Sequence, residues 1–140
     1  MITILDASAA VAIAMNLPES TKFLSYIDTS DVVIAPDLFV AEVSNAIWKY
    51  VRAGMLDSEQ GSTVLERAVM LVDTFEPGQM LYKEAFALSV DHLHPVYDAL
   101  YLVLARRHNG VLATLDKRMV DLASKLHIRL VHEHDGSRVV

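Results

Sequence analysis

Five short runs of apolar and β-branched residues recur along this chain, each separated from the next by a longer stretch, and this alternation limits the fold more than any other feature. The runs are ITIL at 2–5, VVIA at 32–35, MLVDTF at 70–75, VLATL at 111–115 and RLVH at 129–132. Between them, apolar residues stand three and four apart. LFVAEVSNAIWKYVRAG ends on Gly54 as a C-cap, and two further segments run from about Asp57 to Ala68 and from about Gly78 to Val90. YDALYLVLARRHNG stops at Asn109-Gly110, and KRMVDLASKLH is the fifth helical segment. Strands that read as fully buried and are separated by helices predict an α/β domain with a mainly parallel, five-stranded sheet. No repeat, low-complexity tract or linker divides the 140 residues, which read as one domain, 1–140. Such sheets carry their sites outside the carboxyl ends of the strands, so the residue after each strand is where chemistry is expected.

Two strands run into an acid there. MITIL leads to Asp6 and VLATL to Asp116. If the two strands are neighbours, their ends lie about 4.8 Å apart and both acids face one crevice. Two more acids interrupt apolar helical patterns: Glu42 in LFVAEVSNAIW, just after strand VVIAP, and Asp98 at the start of PVYDALYLVLA. Helix starts that follow parallel strands face the same end of the sheet. Asp is also a preferred N-cap, and Asp6, Asp98 and Asp116 all sit near helix starts, so each taken singly reads as a cap or as a ligand. Glu42 resists the capping reading, being flanked by Val40, Ala41 and Val43. Four converging carboxylates repel, by about 4 kcal/mol for a pair 4 Å apart at an effective dielectric near 20, and call for a cation among them. An all-oxygen donor set without His or Cys suits a hard ion, Mg²⁺ or Mn²⁺, able to activate water and neutralise charge on a phosphodiester.

Together, LDAS, PDLFVAEVSNAIW, YDALYLVLA and LATLDKRM resemble the PIN-domain family, and most closely the VapC-type toxins of toxin–antitoxin pairs. The resemblance spans nearly the whole chain. It implies an α/β/α sandwich around a central parallel sheet, a Mg²⁺- or Mn²⁺-dependent endoribonuclease site, a homodimer, and an antitoxin whose segment wraps the toxin and enters the acidic site. By position the family's acids fall on Asp6, Glu42, Asp98 and Asp116, and its hydroxyl residues on Ser8 and Thr114. The three aspartates would hold the metal, Glu42 would ligate it or orient the attacking water, and Ser8 and Thr114 would hydrogen-bond the carboxylates or a metal-bound water. Asn45, one turn beyond Glu42, lies on the same helix face and supports it. Lys117 and Arg118 follow Asp116 at the mouth of the site and read as phosphate contacts or as solvated cations.

The remaining features exclude more than they assign. The net charge of −6 argues against a nucleic-acid partner, yet it is unevenly placed: residues 1–98 hold 14 of the 18 acids, and 99–140 hold 7 of the 12 Lys and Arg. Cysteine is absent, so there is no disulfide framework and no thiolate zinc site. The longest uncharged stretch, Ala7 to Pro18, is too short to span a membrane and lacks the flanks of a signal peptide, so a soluble cytoplasmic protein is expected. Two other classes remain as alternatives: a PIN-like module that binds RNA or protein without cutting, and an Asp-based phosphotransfer domain. The second lacks the Asp-x-Asp of haloacid-dehalogenase-like phosphatases, since the chain reads Asp6-Ala7-Ser8. A dinucleotide-binding domain would need a Gly-rich turn after the first strand, and none is there. His92 and His94 precede Pro95 with no evident acidic partner, and His132 and His134 read as part of a polar tail. Arg106, Arg107 and His108 complement a helix dipole. Trp48, Tyr50, Val51, Met55 and Leu56 read as core.

Overall fold

The computed structural model describes residues 1–131. His132 and His134 lie outside the described residues. Within them, five parallel strands form one sheet: β1 (Ile2–Leu5), β2 (Val32–Pro36), β3 (Thr74–Glu76), β4 (Val111–Ala113) and β5 (Arg129–Leu130), in the order β3-β2-β1-β4-β5. The helices are α1 (Ala7–Ala14), α2 (Thr21–Thr29), α3 (Leu38–Arg52), α4 (Ser58–Met70), α5 (Tyr82–His92), α6 (Val96–His108) and α7 (Lys117–Lys125).

This order decides where the helices go. From β1 the chain steps through β2 to β3 on one side, then crosses to β4 and β5 on the other. Because parallel crossovers are right-handed, α1–α4 cover one face and α5–α7 the opposite one, giving the α/β/α sandwich. The direction of winding reverses between β1 and β4, which pair in register Thr3↔Val111 and Leu5↔Ala113. That reversal is the topological switch point of an open α/β sheet.

Each element is built from its local sequence. In α3, Phe39, Val43 and Ile47 recur every fourth residue and form the buried stripe. Asp57 and Gln60 form a reciprocal capping box that starts α4. α6 is buried without interruption from Ala99 to Ala105, as a helix pressed against β1, β2 and β4 must be. Gly54, at φ +77°, follows the α3 C-cap in the left-handed region, where glycine has no Cβ to strain.

Several expectations are corrected. α2 was not anticipated, and α1 only as a helix start near Asp6. The run at 70–75 is not one strand: Met70 ends α4, and only Thr74–Glu76 pairs with β2. β4 stops at Ala113, so Thr114 and Leu115 lie between the strand and Asp116. Trp48 and Met55 do not belong to the core, being 52% and 67% exposed. Arg106 and Arg107 do more than complement a dipole, since both pair with Glu84 of α5.

Candidate active site

Asp6 is the first residue after β1, and its N–H donates to the Ala113 carbonyl at 3.1 Å, extending the ladder to β4 by one rung. Its carboxylate is 4% exposed and accepts three hydrogen bonds. Oδ1 receives the Ala9 N–H at 3.0 Å and the Ser8 hydroxyl at 2.7 Å, while Oδ2 receives the Thr114 hydroxyl at 2.5 Å. Both hydroxyls are themselves held from the second loop. The Leu115 N–H donates to Ser8 Oγ at 2.9 Å and the Asp116 N–H to Thr114 Oγ1 at 3.0 Å. The loops after β1 and β4 are thus stitched together across the switch point, with the Asp6 carboxylate as the central acceptor.

The other three acids each commit one oxygen. Asp116 caps α7, its Oδ1 accepting the N–H groups of Arg118 at 2.9 Å and Met119 at 3.3 Å. Glu42, in the second turn of α3, accepts the Tyr101 hydroxyl on Oε1 at 2.7 Å. Asp98, in the first turn of α6, holds His94 Nε2 against Oδ2 at 2.8 Å. Asp6 and Asp116 are therefore caps in their local structure, whereas Asp98 is not, because Pro95 occupies the capping position of α6. Among the described residues no hydrogen bond reaches the second oxygen of Glu42, Asp98 or Asp116.

These acids feel one another. Burial pushes the Asp6 carboxyl up to about 6 against the pull of its three hydrogen bonds, and the Asp116 charge adds to the rise. Burial also raises the Glu42 carboxyl. The Tyr101 hydrogen bond opposes that rise, and the charges of Asp6 and Asp98 reinforce it. Tyr101 is driven upward by burial and by the negative charges of Glu42, Asp6 and Asp98, so it stays a hydroxyl donor. Among the described residues no three His, Asp or Glu side chains stand close enough to grip one ion together. The acids are instead linked in pairs: Asp6 feels the charge of Asp116, and Glu42 feels those of Asp6 and Asp98. This donor set fits Mg²⁺ or Mn²⁺ in chemistry: it is all oxygen, Glu42, Asp98 and Asp116 each keep one oxygen without a hydrogen bond among the described residues, and such ions keep several waters while taking only one or two carboxylates directly.

The supporting residues are placed unequally. Asn45 is exposed and lines, with Ser8 and Glu42, a groove of about 850 Å³ that runs along α1 and α3 past Ala46, Tyr50 and Met55. Lys117 and Arg118 are exposed in the first turn of α7, with no ion pair among the described residues. Two site residues were not foreseen from sequence. Tyr101 had a signal, since it stands three residues after Asp98 on one helix face. His94, read as lacking an acidic partner, is buried against Asp98; the four-residue spacing between them was the available clue.

Residues 3–125 match the PIN domain family. Ribonuclease VapC3 of Pyrobaculum aerophilum is 31% identical over 120 residues, which cover 84% of this chain and 92% of that protein. Among solved structures, PAE2754 from Pyrobaculum aerophilum superposes with a TM-score of 0.69 at 26% identity, with 86% of each chain covered. FitAcB from Neisseria gonorrhoeae reaches 0.59 at 16% identity over 94% of this chain and 97% of that one, a likeness of fold.

Proposed function

This chain belongs to the PIN-domain family, and from that premise we propose that it is a metal-dependent endoribonuclease, the toxin of a VapBC-type toxin–antitoxin pair. The observation that carries the reading is the Asp6 carboxylate, buried at the switch point, fixed by Ser8, Ala9 and Thr114, and close enough to Asp116 and Glu42 for their charges to interact. The 31% identity to Ribonuclease VapC3 supports RNA as the substrate.

Asp6, Asp98 and Asp116 hold Mg²⁺ or Mn²⁺ directly or through water, and Glu42 ligates or orients the attacking water with the oxygen that Tyr101 leaves free. When bound, such an ion supplies a water of lowered pKa and a positive charge for the phosphodiester. Ser8 and Thr114 fix the Asp6 carboxylate so that it does not rotate away. Lys117 and Arg118 contact RNA phosphates beside Asp116, and Asn45 supports Glu42 from the groove side. The groove along α1 and α3 takes the antitoxin: its apolar walls suit a partner segment, and an Arg on that segment would pair with Glu42 in its lining. Tyr82, Phe86 and Val90 make an exposed apolar stripe on α5 that supports a homodimer, to be tested by light scattering of Phe86→Glu beside wild type. Among the described residues no helix is long and apolar enough to cross a membrane.

The test is incubation of a small-RNA pool with purified protein in Mg²⁺, Mn²⁺ or chelator, beside Asp6→Asn. Discrete fragments that need the ion and vanish with the variant are expected. Equal cutting by both proteins would remove Asp6 from the site. Intact RNA under every condition, with no co-purified partner on a gel, would favour a non-cleaving binding module.

A further inference from the structure

Asp98 stands third in α6, a position from which an acid ordinarily reaches back to the N–H of the capping residue. The capping residue here is Pro95, which has no N–H to give. The carboxylate takes its hydrogen bond from His94 instead, whose Nε2 lies 2.8 Å from Oδ2. A carboxylate only accepts, so the ring nitrogen facing it carries the hydrogen.

The turn between α5 and α6 is shaped to make this contact. Leu93 closes α5 in the left-handed region at φ 50° and ψ 48°, a conformation that costs a non-glycine residue about 1 kcal/mol or more. Leu93 itself gains no packing from this, since its side chain is 87% exposed. The beneficiary is the next residue. The His94 N–H donates to the Ser89 carbonyl at 3.3 Å, Pro95 fixes the chain on the far side at φ −58°, and the imidazole is buried against Asp98.

We propose that His94 is a positioning residue of the metal site: with Pro95 removing the competing backbone donor, its imidazole fixes the Asp98 carboxylate by Oδ2 and leaves Oδ1 for the ion or its water. The proposal rests on the metal-dependent reading above in taking Asp98 as a ligand. Partners of ligating side chains typically change ion affinity by about 10–100-fold when removed. His94→Phe keeps the ring without the donor, and His94→Gln puts an amide N–H near the place of Nε2.

The experiment measures Mn²⁺ affinity from the paramagnetic resonance of free Mn²⁺, on wild type, His94→Phe, His94→Gln and Asp98→Asn, with circular dichroism as the check on folding. His94→Phe should bind Mn²⁺ about tenfold or more weakly, by the magnitude such partners carry, and His94→Gln should restore most of the affinity. Excess Mn²⁺ should recover kcat in His94→Phe with KM for RNA unchanged, as a purely structural role would not. A folded His94→Phe that binds Mn²⁺ like wild type, while Asp98→Asn does not, overturns the role of His94 alone. Wild type that binds no Mn²⁺ overturns the metal site and this inference with it. If His94→Phe does not fold, Pro95→Ala decides: the restored backbone N–H should draw Asp98 away and weaken Mn²⁺ binding, and unchanged affinity would overturn the proposal.

Discussion

Asp6 shows why a single residue resists a choice between cap and reagent. It caps α1 through Oδ1, and the same burial that makes the cap rigid also makes the charge costly. Below pH about 3 its carboxyl is neutral whether the chain is folded or not, and the stability it contributes is fully present. As pH rises, the unfolded chain ionises near 3.8 while the folded group keeps its proton to about 6. The folded state binds more protons across that window, so stability falls, by about 3 kcal/mol at about 1.4 kcal/mol per pH unit. In chelator, Asp6→Asn should therefore match wild type near pH 3 and exceed it at pH 7, as read by urea midpoints; parallel curves would mean that the charge is already compensated. A divalent ion competes with that proton, so its affinity should drop as pH falls through about 6. The partner of Glu42 gives a second prediction. Tyr101→Phe keeps the buried ring but removes the hydroxyl 2.7 Å from Oε1, and should cost about 1 kcal/mol of stability. Losing the hydrogen bond that opposes burial raises the Glu42 carboxyl further, so the acid limb of the pH–rate profile should move to higher pH. The four acids stood out as candidates because each follows a strand or interrupts an apolar run. His94 and Tyr101 were harder to see because their roles depend on a left-handed turn and on a contact between residues 59 apart in sequence.

At the scale of elements, what the sequence hid follows from how burial writes periodicity. α1, ASAAVAIA, is apolar nearly all round because α3 and α4 cover it, and a helix buried on several sides carries no stripe to distinguish it from a buried strand. The run at 70–75 misled for the converse reason. Leu71 and Val72 are apolar because they close α4 over the core, and the true edge strand is only Thr74–Glu76. Asp73, just before it, has a local explanation, since its carboxylate accepts the Val33 N–H at 2.8 Å and joins the start of β3 to β2. β1 and β4 were legible because they sit mid-sheet and are buried on both faces. Their close approach also explains Gly110. A Cβ there would stand 2.2 Å from Ile4 Cδ1 and 3.1 Å from the Ile2 carbonyl oxygen. The side-chain tip can move but the backbone cannot, so Gly110→Ala should cost about 1–3 kcal/mol, as overpacking does. Because β4 leads directly to Thr114, thermal melts should show that loss together with reduced cleavage. A variant with wild-type melting would mean that β4 shifts freely along β1, which their shared register argues against.

For the whole molecule, the question is how a chain of net charge −6 holds a polyanion. The acids lie mainly in residues 1–98, with Asp6, Glu42 and Asp98 among them, so that part of the chain offers a polyanion little attraction of its own. The basic residues are richer after residue 98, where Lys117 and Arg118 sit exposed beside Asp116 with no ion pair among the described residues. Binding should then depend on two separable terms. A bound divalent ion would reverse the local field over a few ångströms, while phosphate contacts by the two cations would release counterions from the strand, each phosphate contributing a salt slope of about −0.7 for single-stranded RNA. In saturating Mn²⁺, the double variant Lys117→Ala/Arg118→Ala should raise KM for a short RNA while leaving kcat nearly unchanged. Its plot of log KM against log salt concentration should be shallower than wild type by about 1.4, the contribution of two phosphates. Asp6→Asn should behave in the opposite way, losing turnover while the two cations keep their share of the salt dependence of RNA binding. An unchanged slope in the double variant would mean that Lys117 and Arg118 only solvate the start of α7, and that the strand is held by the ion and by other parts of the surface.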